Sequence, residues 1–245
     1  MVKVNNVSVK YMTGDFRDMG IKEYLIRKLS GTYEAKEFTA VKNVSFELEN
    51  GDFLGIIGTN GAGKTTLLKA VSGVLQPEEG DIEVEGNVSA LLSLGTGFDG
   101  ELNLKENIYF RGALLGYTEE FMDEMYPQII EFSELKEYET RKLKQLSSGM
   151  KSKLMFSIAS LINPDVLILD EVLAVGDAAF RVKSERKMME IIKGGTTTLF
   201  VSHSLGQIRR LANKVLWLNK GEQMAFGDAQ KVCDEYEQFV NSLKK

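Results

Sequence analysis

The segment from Gly58 to Thr66 has residue types and spacing that suit phosphate binding. It reads Gly58-Thr59-Asn60-Gly61-Ala62-Gly63-Lys64-Thr65-Thr66 and fits the pattern G-x-x-x-x-G-K-S/T. Its glycines allow a backbone in which successive N–H groups converge on the phosphates of a nucleotide, a conformation that residues with a β-carbon adopt reluctantly. In such loops the lysine, here Lys64, contacts the terminal phosphates, and the hydroxyl of Thr65 binds Mg²⁺. We therefore predict a nucleoside triphosphate site at this loop.

Two adjacent carboxylates follow an apolar run later in the chain. The run from Val166 to Leu169 predicts a buried strand, and Asp170 and Glu171 stand at its carboxyl end, the edge where α/β sheets bind ligands. The first acid suits a Mg²⁺ ligand, and the second can polarise the water that attacks the terminal phosphate. An acidic helix start would show the same pattern. The phosphate loop favours the other interpretation, with Asp170 as metal ligand and Glu171 as general base.

Three weaker signals fit the same site. Ser147-Ser148-Gly149 precedes a helical pattern and suits a helix cap, yet serine hydroxyls and free N–H groups at a helix start also form a second phosphate site. His203 is the only histidine of the chain and ends a predicted core strand on the phosphate edge. It is either structural or a contact to the terminal phosphate and the attacking water. Tyr11 ends a strand and is either a core aromatic or a ring that stacks on adenine.

Apolar periodicity predicts the elements that position these residues. A buried strand from Phe53 to Ile57 precedes the phosphate loop, and a helix from Lys64 to Val71 follows it, so that the positive end of the helix faces the anion. Thr118 and Asp177 are candidate helix caps, and Pro127 predicts a kink or a break. The other predicted elements are strands near Val2 to Tyr11, Val41 to Leu48, Ile82 to Val84, Val88 to Leu94, Thr197 to Val201 and Val215 to Leu218, and helices over Leu104 to about Leu135, about Ala178 to Ile192, after Ser204 and at the end of the chain.

This order of elements favours an α/β class, a P-loop NTPase with a mixed β-sheet core, an antiparallel β edge and an inserted helical subdomain. We expect a single domain over residues 1–245. Its nucleotide-binding core would comprise about 1–95 and 160–245, and the helical subdomain about 96–159. An amphipathic helix from Ile21 to Leu29 is predicted as an insertion between two strands.

The composition excludes several classes of protein. The chain has 30 Lys and Arg and 35 Asp and Glu, which give a net charge of −5. It therefore has no overall positive charge that would attract nucleic acid or an anionic membrane. The single cysteine, Cys233, excludes an internal disulfide and suits a reducing cytoplasm. The apolar runs are too short to span a bilayer, and the N-terminus has no signal core. A membrane role would therefore require a separate membrane partner.

Taken in order, the phosphate loop, Ser147-Ser148-Gly149, Val166 to Glu171 and His203 resemble the nucleotide-binding subunit of ABC transporters over nearly the whole chain. The resemblance implies a homodimer that binds ATP and Mg²⁺ head to tail, with Ser147, Ser148 and Gly149 acting across the interface. It places Tyr11 where the family has an adenine-stacking aromatic, and Asp177 in the loop that joins the two sites. It also implies a transmembrane permease subunit, with membrane association through that permease at the cytoplasmic face.

Finer details resemble the branch that exports polysaccharides such as teichoic acids, O-antigens and capsules. They are Ser147-Ser148-Gly149-Met150 in place of Ser-Gly-Gly-Gln, the segment Asp170 to Asp177, the segment Leu94 to Phe98 before Glu106-Asn107, and the helix from Ile21 to Leu29. Some O-antigen exporters carry a C-terminal carbohydrate-binding domain, and this chain is expected to lack one. We expect the loop from Gly95 to Asn107 to contact the membrane subunit. The glutamine that contacts Mg²⁺ in many transporter ATPases would fall near Ser93, where this sequence has none.

Three alternatives stay open at this point. A soluble ABC-type protein of translation or DNA repair would more naturally have two such domains or a long coiled-coil insertion. A GTPase or small-molecule kinase shares the phosphate loop, but Asn219-Lys220-Gly221-Glu222 is not the guanine-reading motif Asn-Lys-x-Asp. An ABC transporter for a drug, lipid or peptide would keep the fold and change the cargo.

Overall fold

The computed structural model describes residues 1–13, 36–91, 98–162, 164–170 and 177–243. Its strands are β1 (Val2–Thr13), β2 (Lys36–Leu48), β3 (Phe53–Ile57), β4 (Glu79–Val84), β5 (Val88–Leu91), β6 (Val166–Asp170), β7 (Thr197–Val201), β8 (Lys214–Asn219) and β9 (Glu222–Asp228). Its helices are α1 (Lys64–Val71), α2 (Leu104–Leu114), α3 (Glu119–Ser133), α4 (Ser148–Leu161), α5 (Ala178–Lys193), α6 (Leu205–Leu211) and α7 (Ala229–Ser242), with short 3-10 turns at Lys136–Tyr138 and Leu143–Gln145.

Within the described ranges the strands form one sheet in the order β4-β1-β2-β9-β8-β3-β7-β6-β5. The strands β8, β3, β7, β6 and β5 run parallel. Every residue of β3 and β7 is buried, as continuous apolar runs predict for strands covered on both faces. Strand β1 pairs antiparallel with β2 and with β4. The mixed sheet with an antiparallel edge confirms the predicted fold class.

Three apolar clusters hold the elements together. One lies between the antiparallel edge, β3 and α1, and a second lies on the other face of the sheet with α5, α6 and α7. A third lies among the helices α2, α3 and α4. Helix α4 belongs to both of the last two clusters, because Leu154 packs in the helical one while Phe156 packs against the sheet. The predicted boundaries of the helical subdomain, at about residues 96 and 159, stay a prediction.

Helix α3 begins where the sequence indicates. Thr118 caps it by accepting a hydrogen bond from the Phe121 N–H at 3.3 Å, which confirms the predicted cap. The helix then continues through Pro127 to Ser133, so the break is wrong, while the kink stays a prediction. Buried Met122 and Ile129 on either side of the proline keep the helix packed despite the N–H that proline lacks.

Several predictions fall outside the described residues. They concern the helix from Ile21 to Leu29, Ser93, the segment 95–97 and Glu171. Among the described residues, no helix combines the length and the apolar content that crossing a bilayer would need.

Candidate nucleotide-binding site

The phosphate loop joins the carboxyl end of β3 to the start of α1. Gly58, Gly61 and Gly63 have φ of 148°, 75° and 97°, values that side chains with a β-carbon rarely adopt. A β-carbon at Gly58 would lie 2.2 Å from the Leu218 carbonyl oxygen, and one at Gly63 would lie 2.3 Å from the Ala40 carbonyl oxygen. The loop therefore needs glycine for its conformation and for the close approach of backbone from β8 and β2.

A distant turn supports this loop. The Gly221 N–H, between β8 and β9, donates to the Ala62 carbonyl oxygen at 3.1 Å, and the Gly221 carbonyl accepts from the Lys42 N–H at 2.8 Å. Gly221 has a φ of 84°, and a β-carbon there would lie 2.9 Å from the Ala40 carbonyl oxygen. In the sequence, the Lys220-Gly221 pair indicates a tight turn but not its contact with the phosphate loop.

Lys64 lies at the start of α1 and is 7 % exposed. Its Nζ donates hydrogen bonds to the carbonyl oxygens of Gly58 at 2.8 Å and Thr59 at 2.9 Å. The loop thus holds the ammonium group of its own lysine. A cation in this position beside converging N–H groups makes the loop suited to anionic oxygens.

Thr65 and Asp170 meet at the carboxyl edge of the sheet. In the parallel register Ile56 of β3 and Asp170 of β6 both pair with Val201 of β7, so these strands end side by side. Thr65 Oγ1 donates to Asp170 Oδ2 at 2.8 Å. The structure therefore brings together the two residues expected to bind Mg²⁺.

These residues fit a magnesium ion. Both donors are oxygen atoms, which Mg²⁺ prefers, and Mg²⁺ commonly uses one or two protein groups with substrate phosphates and water. The described part of the chain contains no group of three or more His, Cys, Asp or Glu side chains that could hold a metal by itself. A site completed by the phosphates of a bound nucleotide agrees with this donor set.

A cavity of about 350 Å³ lies over the loop. Its lining residues are Tyr11, Phe38, Ala40, Asn60, Gly61, Ala62, Gly63, Lys64, Thr65, Thr66 and His203. The exposed His203 follows β7 by two residues and reaches the cavity from the same edge as Asp170. The predicted phosphate loop, Tyr11 and His203 therefore share one cavity.

Phe38 is a site residue that the sequence analysis missed. It pairs directly with Tyr11 across β1 and β2, which places both rings on the same face of the sheet. Phe38 is 55 % exposed and lines the cavity. Its approach to the loop depends on the pairing of β2 with β1, whose register shifts beside Ala40, so no local sequence signal identifies it.

The predicted second phosphate site lies at the start of α4. The Ser147 hydroxyl caps this helix by accepting from the Met150 N–H at 3.2 Å, and both Ser147 and Ser148 are exposed. A β-carbon at Gly149 would meet only the Ser147 hydroxyl, at 4.0 Å. These residues do not line the described cavity of their own chain. The N-terminus of α4 is therefore exposed at the protein surface.

Asp177 caps α5, as predicted. Its Oδ1 accepts from the Phe180 N–H at 2.9 Å, and its Oδ2 accepts from Lys153 Nζ at 2.7 Å. The hydrogen bond from Lys153, followed by the one from the Phe180 N–H, lowers the pKa of Asp177 to about 2. Asp177 is therefore a carboxylate at any physiological pH.

Comparison with known protein families agrees with this geometry. The family model described as "ABC transporter" matches residues 41–174, which include the phosphate loop, the start of α4 and Asp170. The chain belongs to the ABC transporter family. Its phosphate loop, Asp170 and the exposed start of α4 are thus parts of an ABC ATP-binding domain.

The ABC domain has close relatives among curated proteins. It is 39% identical over 241 residues to the teichoic acids export ATP-binding protein TagH of Staphylococcus saprophyticus, covering 98% of this chain and 91% of that protein. It is 36% identical over 240 residues to the O-antigen export system ATP-binding protein RfbB of Klebsiella pneumoniae, covering 97% and 98%. Against TagH of Bacillus anthracis it is 38% identical over 244 residues and spans 100% of this chain but only 44% of that protein.

Solved structures share the fold of this ABC domain. A dimeric ATP-binding cassette in a post-hydrolysis state with ADP and Pi superposes with a TM-score of 0.75 at 19% identity, covering 94% of this chain and 99% of that one. An ATP-binding subunit of an ABC transporter gives a TM-score of 0.74 at 21% identity, with 100% of both chains covered. At these identities the likeness concerns the fold.

Proposed function

We propose that this chain is the ATP-hydrolysing subunit of an ABC transporter that exports a lipid-linked polysaccharide of teichoic-acid or O-antigen type. It would act as a homodimer with a separate transmembrane permease at the cytoplasmic face of the membrane. The observation that carries the proposal is the cavity in which the phosphate loop, Tyr11 and His203 meet beside the Thr65–Asp170 hydrogen bond. The aromatic ring of Tyr11 suits a nucleotide base, the loop suits its phosphates, and the adjacent Thr65–Asp170 pair suits a metal ion.

Different residues of the chain are proposed to have different roles in ATP hydrolysis. The loop N–H groups and Lys64 bind and orient the phosphates, which is most of what catalysis of phosphoryl transfer requires. Mg²⁺, when bound through Thr65 and Asp170, supplies positive charge that neutralises the phosphate oxygens. His203 is exposed at the cavity wall, where its imidazole can orient the attacking water or contact the terminal phosphate. Glu171, which lies outside the described residues, is the proposed general base.

The start of α4 is proposed to complete the site of a second subunit. Its exposed serines and helix N-terminal N–H groups suit phosphate oxygens, and the open space at Gly149 leaves room for close approach. These groups do not line the cavity over the phosphate loop of their own subunit. A head-to-tail homodimer would bring them to the ATP of the partner subunit.

The permease is proposed to contact the loop before α2 and the neighbouring helix. Buried Asn107 fixes the described part of this loop, since its amide donates to the carbonyl oxygens of Asp99, Leu102 and Asn103 and its Oδ1 accepts from the Asp99 N–H. Exposed Phe110 and Leu114 lie one turn apart on α2. A rigid loop beside an exposed apolar helix face is suited to a protein partner.

The polysaccharide cargo is proposed from the relatives. The curated proteins TagH and RfbB, named for teichoic acid and O-antigen export, are 36–39% identical to this chain over nearly all of its length. The alternative that stays open is an ABC ATPase for another cargo, such as a drug or a lipid. Co-purification with the permease and assay in proteoliposomes separates them, because a polysaccharide exporter should be stimulated by a lipid-linked polysaccharide and not by drugs or free lipid.

The shared site is tested by ATP hydrolysis across subunit concentration. Wild-type specific activity should rise with concentration, and Ser148→Arg should be inactive while still binding ATP, because the new side chain blocks the start of α4 without touching the phosphate loop. Ser242→Arg, at the exposed end of α7, is the matched control and should resemble wild type. Concentration-independent activity together with a normal Ser148→Arg variant would contradict the dimeric mechanism.

The general base is tested by Glu171→Gln. This variant should keep ATP binding, lose nearly all turnover and accumulate as an ATP-bound dimer in gel filtration, because it cannot accept the proton of the attacking water. Unchanged turnover would remove Glu171 from the mechanism and leave the ATP site intact.

A further inference from the structure

We infer that Lys153 is a positioning residue of the shared ATP site, which fixes the phosphate-binding start of α4 relative to the start of α5. The inference rests on the proposed dimeric function. It concerns a group that lies away from the described cavity and that the sequence analysis did not single out. We call its ion pairs with Asp177 and Glu134 the Lys153 cluster.

Lys153 joins two acidic residues from different elements. Its Nζ lies 2.7 Å from Asp177 Oδ2 and 3.2 Å from Glu134 Oε2. The ammonium also lies 4.9 Å from the centroid of the Phe180 ring, in cation–π range. Its side chain is 13 % exposed, so the lysine is held between α3, α4 and α5 rather than extended into solvent.

Glu134 extends the cluster to the end of α3. It terminates this helix with a φ of 62°, and its second carboxylate oxygen, Oε1, accepts from Lys183 Nζ of α5 at 3.1 Å. Lys183 also donates to the Phe132 carbonyl oxygen at 2.9 Å. Burial by itself would raise the pKa of Glu134, but the hydrogen bonds from Lys183 and Lys153 outweigh burial and lower it. Glu134 is therefore held as a carboxylate between the two lysines.

The position of Lys153 on α4 connects the Lys153 cluster to the proposed shared site. Lys153 lies one helical turn after Gly149, so it belongs to the same rigid helix as the residues that would bind the partner's ATP. Its partner Asp177 caps α5 and comes shortly after Asp170, the proposed metal ligand, in the sequence. The ion pair thus joins the helix that is proposed to serve the partner's site to the start of α5.

Stability alone is a weak reason for such a pair. The Asp177 side chain is 61 % exposed, and ion pairs with an exposed partner contribute little to folding. Lysine loses much rotamer freedom when it is fixed in one place, a cost that the partly exposed carboxylates of Asp177 and Glu134 offset poorly. Two acceptors on separate elements do restrict its geometry. We therefore assign the Lys153 cluster to orientation of the start of α4.

The test compares Lys153→Met, Lys153→Arg and Asp177→Asn with wild type. Asn caps helices as well as Asp, so Asp177→Asn keeps the α5 cap and removes the charge. Lys187→Met is the matched control, because the ion pair that Lys187 forms among the described residues is a local one, with Glu190 on α5 at 3.5 Å. The readouts are ATP affinity, kcat, KM, the subunit concentration at half-maximal activity and the thermal unfolding temperature.

We expect Lys153→Met to bind ATP within about threefold of wild type and to lower kcat at least about tenfold, since the lost orientation matters only when the shared site closes. The subunit concentration at half-maximal activity should rise in parallel. Lys153→Arg should restore at least half of the activity because it keeps a charged donor, and Asp177→Asn should resemble Lys153→Met. The variant that combines Lys153→Met and Asp177→Asn should lower kcat no further than the more damaging of the two single substitutions.

Lys153→Met and Asp177→Asn with kcat within about twofold of wild type would overturn the inference. A lowered kcat that Lys153→Arg does not restore would also overturn it. The Ser148→Arg variant, measured in the same assays, distinguishes failure of the proposed shared site from failure of the role of Lys153. An active Ser148→Arg rejects the proposed shared site itself, whereas an inactive Ser148→Arg beside a normal Lys153→Met rejects only the role of Lys153. If Lys153→Met unfolds early, Asp177→Asn alone decides the outcome.

Discussion

Thr65 Oγ1 donates a hydrogen bond to Asp170 Oδ2 across 2.8 Å. The two residues belong to α1 and β6, and β7 separates β6 from β3, the strand that leads into the phosphate loop. Their contact therefore depends on the register of three adjacent parallel strands. It holds a hydroxyl and a carboxylate at the distance from which both can ligate one cation.

Removal of either group should weaken Mg²⁺ binding. We expect Thr65→Ala and Asp170→Asn each to raise the Mg²⁺ concentration needed for half-maximal ATP hydrolysis at least about tenfold. Thr65→Ala removes an oxygen ligand, and Asp170→Asn replaces a charged carboxylate with a neutral amide. Calorimetric titration of ATP with and without Mg²⁺ should show the same loss. Thr65→Ser keeps the hydroxyl and is the control. A normal Mg²⁺ dependence of Thr65→Ala would contradict the assignment.

The two aromatic rings should contribute to binding of the adenine base. Stacking on one aromatic side chain is worth about 1–3 kcal/mol per base, so Tyr11→Ala and Phe38→Ala should each weaken ATP binding roughly 5- to 150-fold. Met12→Ala is the control, because Met12 is exposed, neighbours Tyr11 and lies on the opposite face of β1. Inorganic tripolyphosphate, which has no base, should bind all of these proteins equally. Equal losses for both ligands would mean that the rings support the loop instead.

His203 should affect turnover more than binding. We expect His203→Ala to lower kcat by about two to four powers of ten if the imidazole positions the water or transfers a proton. ATP affinity and the thermal unfolding temperature should stay near wild type, because the side chain is exposed at the cavity wall. A loss of less than about threefold in steady-state assays would assign His203 a structural role.

The carboxyl group of Asp177 should titrate near pH 2. The pKa of Asp177 is lowered from 3.8 to about 2 by Lys153 and then by the Phe180 N–H. Because the folded-state pKa is depressed, the favourable effect of ionised Asp177 is complete above pH 3.8 and is lost as the pH falls toward about 2. Carboxyl NMR titration measures this directly. Lys153→Met should move the pKa upward, and an unchanged titration in that variant would contradict the hydrogen bond.

Asn107 should stabilise the loop before α2. The side chain is buried and bonds to the backbone of Asp99, Leu102 and Asn103. The Leu102 and Asn103 carbonyls also accept from backbone N–H groups, so Asn107→Ala mainly removes the side-chain partner of the Asp99 N–H and carbonyl. We expect a loss of about 1–3 kcal/mol in the free energy of unfolding. Thermal unfolding measures it, while ATP affinity should not change. An unfolding temperature equal to that of wild type would show that water replaces the amide.

Local patterns predicted most of the elements. The buried runs of β3, β6 and β7 and the caps at Thr118, Ser147 and Asp177 follow from residue types within a few positions, which is why their bounds agree closely with the structure. Strand β9 was missed, because its residues are mostly half-exposed and form no continuous apolar run. At Pro127 the sequence predicts a kink or a break, and the break is wrong because tertiary packing outweighs the local cost.

The site was predictable only where its residues share a motif. The phosphate loop and Asp170 carry recognisable patterns, whereas Phe38 reaches the cavity through strand pairing with Tyr11. Lys153 likewise meets Glu134 and Asp177 only through the packing of three helices. Such contacts depend on how the elements pack, and the residue types along the chain do not encode them.

The position of the Ala40 carbonyl predicts where mutations that abolish ATP binding should occur in the sequence. Gly63 and Gly221 approach the same oxygen from opposite ends of the sequence, and a β-carbon on either would press against it. A screen for lost ATP binding should therefore recover two separate groups of alleles. One falls in the phosphate loop, and the other falls at a turn that contacts no phosphate. Second-site suppressors of a Gly221 allele should arise near Ala40 in β2, where a small backbone shift relieves both contacts.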